Sequence, residues 1–381
     1  MFANTDNVVL CVDSRLNIYS LKSSEPPIIV EFPKLVSKNE KKSANDTKSA
    51  RISLICGEFS KSGHLFAVCD DKKRLLVWNF LQSEGKCDFI REFNVARKCV
   101  KLVFHSDEKQ ILVGDRSGDI FRYDLRSEGS EGSLLMGHLS MLLDFSLSCD
   151  EKYLITCDRD EKIRVSCFPN SYNIHGYCLG HSEFVSSLCY LKEEIIISGS
   201  GDGTLRIWNY VNGEQLCVHD CSKVKDTGKR IAVKQILKIS DDLVAVTFYD
   251  FGDLLIYKVA RNDDLFSISL IKCVTISTSK LHKIFISNNC LIATSLNKEE
   301  MFLCFEIEWN SCELRKSNDK CFIKCINEDK KFIEECYEEF DAEAKSLDGL
   351  YKTWFNNVDT YLEKKRERQV AKKLKQCKNG A

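Results

Sequence analysis

Short runs in which apolar and polar positions alternate recur along most of this chain. "RLLVWNF" (74–80), "DIFRYDL" (119–125), "TLRIWNY" (204–210) and "DLLIYKV" (253–259) are examples. A period of two is the mark of strands buried on one face. Between such runs stand turn formers, as in "GSGDGT" (199–204) and "GDRSGD" (114–119). All four prolines (Pro26, Pro27, Pro33, Pro169) fall outside the clearest runs, as a ladder needing every backbone N–H requires. The pattern predicts a strand-rich chain up to about residue 318. Beyond residue 328 the period changes. Leu350, Tyr351, Trp354, Phe355, Val358, Tyr361 and Leu362 recur every three to four residues, which predicts a helix with one apolar face.

The strands are organised as repeats. "GHSEFVSSLCYLKEEIIISGSGDGTLRIWNY" (180–210) opens with Gly-His, turns at Asp202-Gly203 and closes its third strand with Trp208. "GHLSMLLDFSLSCDEKYLITCDRDEKIRVS" (137–166) aligns with it. Gly137-His138 precedes Gly180-His181 by 43 positions, and Asp160 precedes Asp202 by 42, as Ser166 does Trp208. Weaker copies put Tyr19, Trp78, Tyr123, Tyr257 and Phe305 in the tryptophan slot. A period of roughly 40 to 45 residues is that of propeller blades. Seven anchors predict an all-β, seven-bladed WD-repeat β-propeller over residues 1–318, followed by an acidic-then-basic helical tail, 319–381. The first blade has little room for an inner strand before residue 8, so closure is expected to borrow the strand after Phe305. In such a blade His181, Ser198, Asp202 and Trp208 form a structural hydrogen-bond relay, with His138 and Asp160 as the corresponding pair in the preceding blade.

Composition narrows the function. Charged residues make up 29% and the formal net charge is -1, so nucleic-acid contact has to come from a local patch. No signal peptide and no membrane span are expected. Twenty cysteines in a long chain without a secretion signal read as reduced, and Cys56, Cys69, Cys157 and Cys178 sit in apolar runs as small hydrophobes. "CVHDC" (Cys217, His219, Cys221) lacks a second ligand pair, and no metal site is expected. "GSGDGT" is not followed by a helix start, and no catalytic constellation is apparent. The insertion at 34–49 carries five lysines against two acids, which reads as a solvated loop or, alternatively, a nuclear address. From Thr360 to Ala381 eight Lys/Arg face two Glu, so Lys364, Lys365, Arg366 and Arg368 form a basic helix end that reads either as a phosphate-attracting patch or as an ordinary solvated end.

The repeat at 137–166 has lost its tryptophan and displays "DRDEKIR" instead. Ile163 and Val165 fall on one side of its third strand and Lys162 and Arg164 on the other. Asp160 and Glu161 occupy the preceding turn. Mixed charge on a rigid turn favours a protein partner.

These residues carry a resemblance. "DRDEKIRVS", "CLGHSEFVSSL", "SGDGTLRIWNY" and "LYKTWFNNVDTYLEKKRE" resemble the WD-repeat, non-catalytic subunit of the eukaryotic tRNA guanine-N7 methyltransferase. The resemblance implies a heterodimer with a separate Rossmann-type catalytic subunit. That partner carries S-adenosylmethionine and methylates a guanine in the tRNA variable loop, so no cofactor is expected on this chain. It implies contact at the rim near the third and fourth blades: Arg164 first, facing outward, then Asp160, Glu161 and Lys162, with Arg116 and Arg97 at the neighbouring edge. It also implies a nuclear location, with the cytoplasm as a second one. A competing expectation rests on "YDLR" (Tyr123–Arg126), which resembles the box through which some propellers join cullin ubiquitin ligases as substrate receptors.

Overall fold

The computed structural model describes residues 2–3, 7–12, 15–21, 27–33, 52–81, 86–224, 231–262, 265–287, 290–308 and 313–317, with 323, 334, 347, 349–352, 361–362 and 364–366 beyond them. Among these residues, seven four-stranded antiparallel sheets follow one another along the chain as seven blades. Each anchor lies in the third strand of its blade and pairs with the second. The pairs are Val8 with Tyr19, Phe66 with Trp78, Ile111 with Tyr123, Leu154 with Ser166, Ile196 with Trp208, Val244 with Tyr257 and Leu291 with Phe305. The inner strands pack on one another around a central cavity of about 840 Å³.

The ring closes differently from the expectation. Phe2–Ala3 is the inner strand of blade 1, pairing Phe2 with Val9 and Ala3 with Val8. It lies between the inner strands of blade 2 (Leu54–Phe59) and blade 7 (Leu281–Ser287). Glu313–Lys316 remains the outer strand of blade 7, paired with Phe302–Glu308. Two residues of ladder complete blade 1, so no strand is borrowed.

Blade 5 shows what an intact anchor does. Trp208 is fully buried, and its Nε1 donates to Ser198 Oγ at 2.8 Å. Ser198 Oγ also meets His181 Nε2 at 2.8 Å, and His181 Nδ1 meets Asp202 Oδ2 at 3.0 Å. The chain of bonds ties the loop before the inner strand, the second strand and the third strand together, and each buried polar group finds a partner. Asp202 Oδ1 also accepts from the backbone N–H of Thr204 at 2.9 Å, which shapes the turn. Gly203 follows in the left-handed region (φ 79°), where a Cβ would meet Ile231 O at 2.9 Å. Trp78 in blade 2 has no such relay. Its ring lies against Phe32, Phe66 and Phe89 at centroid separations of 5.6, 6.5 and 5.7 Å.

The relay carries a pH signature. Burial pushes the His181 pKa below its ordinary value, against the opposing pull of Asp202. Burial pushes Asp202 up, but its bonds to His181 and Thr204 outweigh this and hold it below the usual carboxylate range. Both groups have depressed pKa values in the folded state. Each therefore contributes stability that is complete above its unfolded value and is lost as pH falls through the folded one. The buried His282 is depressed in the same direction, by burial first and then by Lys283 and Lys234.

Two outcomes are expected. Trp208→Ala should destabilise the propeller by about 3–5 kcal/mol in denaturant titrations, since it opens a cavity and strips Ser198 of a donor. The melting temperature of the wild type should begin to fall as pH drops below about 6.5. His181→Gln should flatten the first part of that fall in melts recorded across pH; a profile identical in slope to wild type would assign the effect elsewhere.

Candidate partner-docking rim

In a four-stranded meander, the loop before the inner strand and the turn after the second strand lie at the same end of the blade. In blade 4 these are His138–Met141 and Arg159–Lys162, flanking Leu142–Leu147 and Tyr153–Asp158. The corresponding segments of blade 3 hold Arg97 and Arg116. This end is the rim to which the sequence assigned partner binding.

Asp158 organises the blade 4 turn. Its Oδ1 accepts from the backbone N–H of Asp160 (2.9 Å) and of Lys162 (3.1 Å), and its Oδ2 meets His138 Nδ1 at 3.1 Å. His138 Nε2 meets Thr156 Oγ1 at 2.7 Å. Burial raises the Asp158 pKa, but the bond to His138 and the turn N–H outweigh it, and the net shift is downward. The relay acid of blade 4 is therefore Asp158, two residues before the expected Asp160, and Thr156 takes the place of Ser198. The sequence alignment missed this because blade 5 has Ser200 where blade 4 has Asp158. Blade 5 reaches its histidine with a carboxylate from further along the turn.

Asp160, released from the relay, is half-buried, as are Glu161 and Lys162. Glu161 sits in the left-handed region (φ 70°), where the matching residues of blades 3 and 5 are Gly118 (φ 108°) and Gly203 (φ 79°). A non-glycine residue there costs on the order of 1 kcal/mol or more and is found where the side chain has a task. The carboxylate of Glu161 accepts from Lys352 Nζ at 2.7 Å, and Asp160 Oδ1 lies 3.8 Å from the same nitrogen. The Glu161 bond is the first cause of the raised Lys352 pKa. Next to it, Tyr351 donates its hydroxyl to Gly201 O at 3.2 Å and packs edge-on against Phe184. Leu350 is buried against Phe184 and Ala232. The tail thus docks on the rim across blades 4, 5 and 6, and Leu347 and Leu350 help line the central cavity. The docked stretch is a turn at Gly349–Leu350 and not the start of the expected helix. Tyr361 and Leu362 are helical but exposed, and Trp354, Phe355 and Val358 lie outside the described residues.

Arg164 departs most from its expectation. It does not face outward; only 8% of the residue is accessible. Its Nε donates to Ser166 Oγ (2.9 Å), one terminal nitrogen to Gly137 O (3.1 Å) and the other to Ser171 O (3.0 Å). Ser166, in the tryptophan slot, accepts from the guanidinium and lies 3.9 Å from Met136 Sδ. Five donors in a rigid fork can satisfy a hydroxyl and two carbonyls at once. Its counterpart in blade 5, Arg206, lies beside an intact tryptophan and bonds Thr204 and Gln215 instead.

Of the remaining sequence-selected residues, Arg97 is exposed and donates to Ser117 Oγ at 2.7 Å, and Arg116 is exposed at the mouth of the cavity. Lys162 Nζ lies 3.8 Å from Asp158 Oδ2 and 3.9 Å from Asp160 Oδ2. Lys364, Lys365 and Arg366 are helical and exposed; Arg368 lies outside the described residues, as does the lysine-rich stretch 34–49. In "YDLR", Tyr123 is buried with its hydroxyl on Asn94 O at 3.1 Å, and Arg126 is exposed. "CVHDC" does not gather into a ligand set among the described residues, and His219 stacks against Tyr257. Sequence reasoning missed Lys352, whose role depends on a fold contact 191 residues away. It also missed the exposed apolar residues Leu139, Tyr177 and Leu179, which flank the charged turn on blade 4.

The architecture defines a seven-bladed WD-repeat β-propeller. The fold is similar to that of a chain in the crystal structure of the mitotic checkpoint complex, with a TM-score of 0.64 over 81% of this chain and 89% of that one, at 13% identity. The family model of the tRNA methyltransferase TRM82 WD40 domain matches residues 126–302. The non-catalytic subunit wdr4 of the tRNA (guanine-N(7)-)-methyltransferase from Danio rerio is 33% identical over 96% of this chain and 91% of its own length. The corresponding subunit wuho from Drosophila melanogaster is 32% identical over 84% of this chain and 75% of its own. The chain belongs to the family of non-catalytic subunits of the tRNA (guanine-N7-)-methyltransferase.

The geometry predicts that Arg164→Glu will not leave the fold intact. It puts a carboxylate against two carbonyl oxygens and strips a buried serine of its donor. The expected loss is more than about 3 kcal/mol, read by thermal and denaturant unfolding of the isolated chain. A melting temperature equal to wild type would show that the guanidinium is dispensable to the blade.

Proposed function

We propose that this chain binds and stabilises a separate Rossmann-type, S-adenosylmethionine-dependent catalytic subunit as a heterodimer. Through it, the chain supports 7-methylguanosine formation in the tRNA variable loop. The observation that carries the docking site is the blade 4 rim. There a turn pinned by Asp158 presents Lys162 beside the exposed Leu139, Tyr177 and Leu179, with Arg97 and Arg116 on the adjoining blade. Exposed apolar groups supply burial on association, and fixed charges around them set orientation. Asp160 and Glu161 belong to this surface by holding the tail through Lys352, and Arg164 by holding the strand beneath the turn. The cofactor belongs to the catalytic partner in this reading. Lys364, Lys365 and Arg366 offer exposed positive charge to tRNA phosphates once the complex is formed. The nucleus, where tRNA is processed, is the proposed location.

Depletion in the native cells should lower 7-methylguanosine in purified tRNA, measured by mass spectrometry. Wild type and Arg126→Ala should restore it. A Leu139→Asp, Lys162→Glu double variant, with an unchanged melting temperature, should co-purify at least about tenfold less catalytic subunit and fail to restore the mark. Full rescue by the double variant would remove the blade 4 rim as the docking site. An unchanged mark on depletion would remove the methylation reading.

A further inference from the structure

Three cysteines meet at the seam between blades 2 and 3. Cys56 lies on the inner strand of blade 2 and pairs across the ladder with Cys69 on the second strand. Cys99 begins the inner strand of blade 3, Cys99–Phe104. All three are free, with exposures of 7%, 0% and 2%. Their Sγ atoms lie within 4.8 Å of one another. No other His/Cys/Asp/Glu group among the described residues converges in this way.

A packing role alone does not call for three thiols from three strands to converge on one point. The surrounding positions are filled by Ala67, Leu75, Val77, Phe93 and Val95. The spacing suits coordination. Metal–thiolate bonds of about 2.3 Å place ligand sulfurs roughly 3.8–4.0 Å apart, so a contraction of about 1 Å at most would seat an ion. Cys56 and Cys99 line the central cavity, which opens a route to the site.

We propose that Cys56, Cys69 and Cys99 form a binding site for one thiophilic d10 cation, Cu(I) or Zn(II), which cross-links blades 2 and 3. Three thiolates without nitrogen donors suit such ions. Cu(I) is satisfied by the three sulfurs; Zn(II) requires a fourth donor, which a solvent molecule from the cavity lined by Cys56 and Cys99 would supply. On binding, the thiol protons leave to solvent as the metal–sulfur bonds form, so affinity rises with pH. The ion would staple two blades that are otherwise held together by apolar packing and a few polar contacts.

The test uses the full chain, purified reduced and metal-free. Cd(II) is the optical probe, read by its thiolate charge-transfer absorption; Zn(II) and Cu(I) are titrated against chromophoric chelators. One equivalent per chain is expected. Cys69→Ala should weaken binding at least tenfold, and a Cys149→Ala, Cys273→Ala variant at the exposed cysteines should bind as wild type. Should Cys69→Ala fail to fold, alkylation of the wild type with and without metal gives the same answer: Cys56, Cys69 and Cys99 should be the protected positions. Binding of either ion at one equivalent upholds the site, and the two chelator titrations separate Cu(I) from Zn(II). No charge-transfer band, binding that survives Cys69→Ala, or protection mapping to other cysteines would overturn the proposal. So would isolation of a disulfide among the three as the stable state in reducing buffer.

Discussion

Each blade must bury the middle of its third strand, and one side chain per blade does most of this. In blade 5 the burden falls on Trp208, whose ring is fully enclosed and whose single N–H is spent on Ser198. Blades 3 and 6 use Tyr123 and Tyr257, and blade 2 surrounds Trp78 with phenylalanines. The rest of the ring depends on this, because the inner strands surround one cavity only if neighbouring blades pack closely on one another. Blade 4 meets the same requirement by a different chemistry. Ser166 stands beside Met136 in the apolar core, and Arg164 provides the hydrogen bonds. A buried guanidinium is costly to desolvate, and its three oriented acceptors offset that cost.

The turn of the same blade differs as well. Asp158 bonds His138, and Asp160 and Glu161, both half-buried, lie outside that relay. Glu161 occupies a backbone conformation that the neighbouring blades give to glycine, and it holds Lys352. The tail is thereby tied to the same turn that proposes itself as a docking surface. Rim and tail are joined at this turn through Lys352.

Much of the fold was legible because strand alternation and blade period are local properties. All seven anchors fall in third strands, including the weak ones at Tyr19 and Phe305. The less legible points share a cause. The two-residue inner strand of blade 1 has too little sequence to show a period. Asp158 was passed over for Asp160 because a fixed spacing cannot tell which of two acids in one turn reaches a histidine. Arg164 was read as outward from strand alternation, which specifies a side of the sheet but not whether a neighbouring blade or a returning loop covers that side.

The sequence by itself determined the class of architecture, the number of blades and the unusual character of the fourth, since each follows from patterns within about forty residues. Only the tertiary structure decided the partners of the charged residues. Lys352 meets Glu161 across 191 positions, and Arg164 meets the carbonyl of Gly137 across 27. The convergence of Cys56, Cys69 and Cys99 likewise needs two blades to be in place. Burial and pairing depend on distance in space, and a chain that returns on itself seven times separates that distance from distance along the sequence.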